Sequence, residues 1–159
     1  MSDSEQLRVS RTVDATPEQL FALLSNPARH QEMDSVGMLR DAEGDSALNG
    51  VGDEFVIDMN NQTLGDYKIK NTVIAYEKDR TIGWAPRLEP EDGYTDKIGD
   101  MKAGGHTFTW HLEPEGSGTK VTQVYDWSGV TDPGFKGVCP MINADQLGES
   151  IEKAARAAG

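Results

Sequence analysis

Trp84, Trp110, Tyr125 and Trp127 fall at alternating positions of short segments, in step with Phe55, Phe108 and Ile69. Alternation puts such residues on one side of a strand, so one concave face can collect most of these rings. Asn71 and Gln123 share that parity. An amide facing a dry core without a partner costs on the order of 1–3 kcal/mol. A space that admits water, or the polar group of a ligand, removes that cost. Apolar walls with a few converging polar groups describe a small-molecule pocket. A plain aromatic core is the alternative reading of the same stripe.

Other chemistries find less support. His106 and His111 lie five apart on one expected strand and so point to opposite faces, with His111 and Glu113 sharing the solvent side; His30 sits far away in sequence. No metal is expected from that set. Gly50-Val-Gly52 has Phe55 where a dinucleotide fingerprint needs its third glycine. In Gly129 to Lys136, Phe135 separates Gly134 from Lys136 and no Ser/Thr follows, so no phosphate loop is formed; both glycine stretches read as turns, and no cofactor is expected. The acidic stretch after Pro86 lacks the ligand spacing and central glycine of an EF-hand. Cys139 is the only cysteine, which excludes an intramolecular disulfide and a tetrathiolate site, and beside Pro140 it reads as a packing residue.

The chain has 159 residues, the size of a single domain spanning 1–159. Its 15 basic and 27 acidic residues leave a net charge of −12. That field repels phosphate backbones and anionic headgroups, so neither nucleic-acid nor membrane-surface binding is expected. No apolar stretch approaches the length of a membrane span, and the simplest location is the cytoplasm. Monomer and homodimer remain open, as does a protein partner.

The elements that must position the aromatic face can be read from local signals. Leu7 to Val13 alternates as a strand, with Arg11 breaking its apolar side. Thr16-Pro17-Glu18-Gln19 is a capped helix start, and Asn26-Pro27 repeats the signal for a second short helix through about Met33. The period then becomes two, through Phe55–Met59, Tyr67–Ala75, Ile82–Trp84, His106–Leu112 and Val121–Trp127. Short turns join several of these: Asn60-Asn61, Lys78-Asp79-Arg80 and Glu113 to Gly118. Such spacings favour hairpins and an antiparallel sheet. Met38 to Arg40 can add an edge strand. Pro86 to Gly105 reads as a long acidic loop, either solvated or a lid. A last helix is expected from Pro140 to about Ala158, with Leu147, Ile151, Ala154, Ala155 and Ala158 on its apolar face. The order is α+β: a curved antiparallel sheet closing on a C-terminal helix.

This order, together with Val9-Ser-Arg-Thr-Val-Asp-Ala-Thr-Pro-Glu-Gln-Leu-Phe21, Asn26-Pro-Ala-Arg-His30, Gly50-Val-Gly-Asp-Glu-Phe55, Leu64-Gly-Asp-Tyr67, Ile82-Gly-Trp84, Gly118-Thr-Lys-Val-Thr122 and Tyr125-Asp-Trp127, resembles the Bet v 1-like or START-like (SRPBCC) superfamily, and within it the polyketide cyclase/dehydrase type. The resemblance covers nearly the whole chain and implies a helix-grip fold with a hydrophobic cavity. Its motifs are caps, turns and strands that a scaffold needs whatever it binds. The last helix looks shorter than is usual there, which would reshape the cavity mouth. Met33 stands where close relatives tend to carry an aromatic residue.

The resemblance implies binding of a small hydrophobic molecule, aromatic, polyketide-like or lipid-like. Trp84, Trp110, Tyr125 and Trp127 would contribute the walls, Asn71, Gln123 and His106 would orient the ligand, and Phe55 and Met33 complete the expected binding set. Met33 and the Pro86–Gly105 loop are entrance candidates. The alternative is a cyclase or dehydratase, in which His106 and Tyr125 are the acid–base candidates and Arg87 or Asn71 polarises a carbonyl. A stress-response or protein-interaction module is the third possibility.

Overall fold

Residues 5–34, 39–42, 47–62, 64–89, 93–99, 101 and 104–158 are described by the computed structural model. In chain order they form β1 (Gln6–Val13), α1 (Pro17–Leu24), a 3₁₀ helix (Pro27–Met33), β2 (Leu39–Ala42), β3 (Glu54–Asn61), β4 (Gly65–Glu77), β5 (Thr81–Leu88), α2 (Thr95–Ile98), β6 (Thr107–Glu115), β7 (Gly118–Asp126), α3 (Pro133–Lys136) and α4 (Ala144–Ala158).

The helix starts follow the cap chemistry. Thr16 Oγ1 accepts from the Gln19 amide at 3.1 Å, and Gln19 Oε1 accepts from the Thr16 amide at 2.9 Å. Asn26 Oδ1 accepts from the Ala28 amide at 3.2 Å, with Pro27 next in line. The same reciprocal device starts α4, but at Asn143. Its Oδ1 accepts from the Gln146 amide at 2.8 Å while Gln146 Oε1 accepts from the Asn143 amide at 2.9 Å. The last helix therefore begins four residues after the expected Pro140, because its free N–H groups are satisfied there.

The strands make one curled antiparallel sheet in the order β1-β7-β6-β5-β4-β3-β2. The β6–β7 hairpin turns at Gly116, whose φ is 60°. Gly118 lies so close to β1 that a Cβ there would collide with the Val13 carbonyl. The expected Asn60-Asn61 turn is displaced: both residues close β3, and Asn61 Oδ1 accepts from the Leu64 amide at 2.7 Å to form the turn beyond. The edge strand exists as β2, paired to β3 through Leu39↔Met59 and Ala42↔Ile57; Met38 lies outside the described residues.

Two departures reshape the inner face. A register shift between Val73 and Ala75 interrupts the alternation of β4. Tyr76 thereby packs its ring on Phe21, centroids 5.3 Å apart, and donates its hydroxyl to the Leu48 carbonyl at 3.3 Å. Second, the stretch from Pro86 is not all loop. Pro86, Arg87 and Leu88 continue β5, and Arg87 bridges to Gly104. Tyr94 anchors the chain beyond β5 to β4, accepting from the Lys68 amide at 3.0 Å and donating to the Glu89 carbonyl at 3.1 Å.

The sheet closes on α4, with α1 and the 3₁₀ helix at one end. Leu20, Leu23, Leu24, Ile82, Val121 and Ile151 are all fully buried there. This is a helix-grip α+β fold, as the sequence leads one to expect. No described helix is long and apolar enough to cross a membrane.

Candidate functional site

Beyond this packed region, sheet and helix diverge around a cavity of ≈ 410 Å³. Its walls are built as cross-strand rungs. One rung runs Leu7–Tyr125–Phe108–Trp84 across β1, β7, β6 and β5. The next runs Val9–Gln123–Trp110–Ile82. Trp110 and Gln123 line the cavity, whereas the following pair, Leu112 and Val121, belongs to the packed core. The Trp110–Gln123 pair is therefore the floor on this side.

Met33, Phe55, Asn71, Trp84, His106, Trp110, Gln123 and Tyr125 all line the cavity. Met33 is buried, and its carbonyl accepts from Ser150 Oγ at 2.8 Å. Phe108 stacks on Tyr125 with ring centroids 4.7 Å apart. Trp127 departs from the expectation. It follows the end of β7, lies buried behind Tyr125 with centroids 5.1 Å apart, and does not reach the cavity. Arg87 also fails as a carbonyl polariser. Its guanidinium reaches Thr72 Oγ1 at 3.0 Å and Glu54 Oε2 at 3.1 Å on the outer face, while Pro86 and Leu88 turn inward.

Tyr125 is a wall residue whose hydroxyl is tied to the rim of the cavity. It accepts from the Met141 amide at 3.1 Å, and burial pushes its pKa up to about 12. His106 packs against Phe108, Tyr125 and Phe135. Burial lowers its pKa to about 4, and its Nδ1 has no hydrogen-bond partner. Trp110 Nε1 and Gln123 Oε1 are likewise buried without partners.

Of the lining residues outside the expected set, His30 and Phe135 contribute rings to the walls. His30 lies in the 3₁₀ helix, where the three-residue period puts Pro27, His30 and Met33 on one buried side. It stacks on Trp84 with centroids 4.9 Å apart, and burial lowers its pKa to about 4. Its Nε2 lies 2.7 Å from the Leu24 carbonyl. Because a carbonyl only accepts, Nε2 carries the proton and Nδ1 is the bare nitrogen. Phe135 is the second addition. The one-turn helix α3 that carries it is capped by Asp132 Oδ2, which accepts from the Phe135 amide at 2.9 Å. The Asp132-Pro133 pair repeats the cap signal of Asn26-Pro27.

The rim is apolar. Val138 and Met141 are about half exposed, and Ile98 of α2 and Met101 join them from the segment after β5. Asp34 is the sole acidic residue among the described lining, and its Oδ2 accepts from the Leu39 amide at 2.9 Å. No Lys or Arg is among the described lining residues. No cluster of His, Cys, Asp and Glu suited to a metal ion occurs among the described residues.

Comparisons with known proteins agree with this geometry. The chain is 29% identical over 134 residues to the uncharacterized protein Rv0088 of Mycobacterium tuberculosis. The match covers 81% of this chain and 52% of that protein, so the chain spans about half the length of this relative. Protein Ms6760 from Mycobacterium smegmatis superposes with a TM-score of 0.67 at 12% identity, covering 98% of this chain and 91% of that one. A protein from Arthrobacter aurescens gives 0.69 at 14% identity, covering 99% and 89%. At such identities these structures establish the fold alone. A family described as polyketide cyclase/dehydrase and lipid transport matches residues 4–158, and the chain belongs to it.

Proposed function

We propose that the protein binds a small, largely apolar, uncharged molecule between its sheet and α4. The observation that carries this reading is the cavity of ≈ 410 Å³, walled by aromatic rungs and holding three buried polar atoms that no protein group satisfies. A filled core of this composition would leave those atoms unpaired at a cost of about 1–3 kcal/mol each. The absence of a cation from the described lining disfavours a carboxylate or phosphate.

Acid–base turnover of a polyketide-like substrate is a second reading, favoured by the two imidazoles on the walls. Both are unprotonated at neutral pH, so each is formally a base. A pKa of about 4 is nevertheless far from the value that makes a general base effective near pH 7, and the Tyr125 hydroxyl is held by Met141. These features rank binding above catalysis.

Native mass spectrometry of the purified protein, before and after organic extraction, tests the leading reading. A released neutral compound, with a rise in melting temperature when it is restored, is the expected result. An empty protein that gains no stability from aromatic, polyketide and lipid compounds would defeat it. Turnover of a recovered compound, lost in His106→Ala, would promote the enzyme.

A further inference from the structure

The cavity floor carries chemistry that neither the fold nor the apolar walls require. Trp110 and Gln123 are direct cross-strand partners on β6 and β7, with side chains on the same inner face and Cβ atoms about 5 Å apart. Trp110 is fully buried and Gln123 is 5% exposed. Their flanking neighbours on the rung are Ile82 and Val9, which offer no polar group. Trp110 Nε1–H can only donate, and Gln123 Oε1 can only accept; both are without partners. In the packed half, by contrast, Thr119 Oγ1 donates to the Ala15 carbonyl at 2.7 Å, so this fold does satisfy its buried polar side chains there.

We infer that the Trp110–Gln123 pair is a recognition point for one uncharged hydroxyl on an otherwise apolar, flat ligand: its oxygen accepts from Trp110 Nε1–H, and its proton goes to Gln123 Oε1. This rests on the binding reading above and gives it a chemical class, phenol-like or enol-like. An ether or ketone oxygen satisfies the indole alone. A carboxylate also cannot donate, and it finds no cation among the described lining residues. The Phe108–Tyr125 and Trp84 rings of the adjoining rung supply the flat surface against which the body of the ligand lies.

The test compares three probes of one shape, 2-naphthol, 2-methoxynaphthalene and naphthalene, by calorimetry and tryptophan fluorescence at pH 7. The expected result is binding of 2-naphthol at least about tenfold tighter than naphthalene, with no such gain for the methoxy compound. In Gln123→Leu, the two extremes should come within about twofold of each other while naphthalene still binds. Equal affinities in the wild-type protein, or a naphthol preference that survives Gln123→Leu, would overturn the inference and leave the apolar cavity standing. If none of the three binds up to its solubility, the inference falls, while the wider binding reading is decided separately by the mass spectrometry and the compound panel above. The wild-type series decides the matter even if the variant fails to fold.

Discussion

The two halves of the space between sheet and helix are built from the same strands and differ in how they treat polar groups. In the packed half, Thr119 bonds Ala15, and Ser25 Oγ donates to the Phe21 carbonyl at 2.7 Å. His30, at the boundary, is tied to Leu24. In the hollow half, His106, Trp110 and Gln123 each keep an unpaired atom. Since both halves are buried, exposure does not explain the difference. The packed half satisfies its own polar groups, whereas the hollow half leaves these three atoms without a protein partner.

Four changes probe that contrast. Ile151→Ala should have the largest effect, because Ile151 is fully buried against the sheet and the packed half cannot collapse around the void. A loss of roughly 2–5 kcal/mol in urea unfolding is expected; a loss under about 1 kcal/mol would show that this half is loosely packed too.

Acidification comes next. His30 and His106 are held neutral down to a pKa of about 4, while the unfolded chain takes up a proton near 6.5. Between those values the unfolded state binds more protons, so stability is retained above pH 6.5 and drains away as pH falls towards 4. Each histidine should account for about 2 kcal/mol of the loss between pH 7 and pH 5. Urea titrations of His30→Gln and His106→Asn at both pH values should each show a correspondingly flatter dependence than wild type. Unchanged slopes would mean that the rings are hydrated.

Thr119→Val keeps the shape but strands the Ala15 carbonyl, and should cost about 1–3 kcal/mol. Gln123→Leu, at similar burial, should change stability by under about 1 kcal/mol, or improve it, because no protein hydrogen bond to Oε1 is lost. Measuring the two side by side sharpens the contrast most directly. Equal losses would erase it.

What could be read from the sequence was what depends on near neighbours along the chain. The cap at Thr16-Pro17-Gln19, the Asn26-Pro27 start and the alternation of Phe55, Phe108, Trp110 and Gln123 each rest on relations two or three residues long, and the structure keeps all of them. The family resemblance carried the rest of the helix-grip expectation, and the family match and the fold agree with it.

What the sequence could not supply were relations made across the fold. The register shift in β4 that turns Tyr76 inward depends on pairing with β5. Trp127 has the parity of a wall residue, yet the strand stops one position before it and its ring falls behind Tyr125. His30 lies fifty-four residues from Trp84 in the chain and becomes a wall residue through stacking on it. Arg87 sits between two inward residues and so must point out. Periodicity determines which residues share a face. The closure of the sheet on α4 decides which part of that face is filled and which is left open, because packing is settled by atoms far apart in the chain.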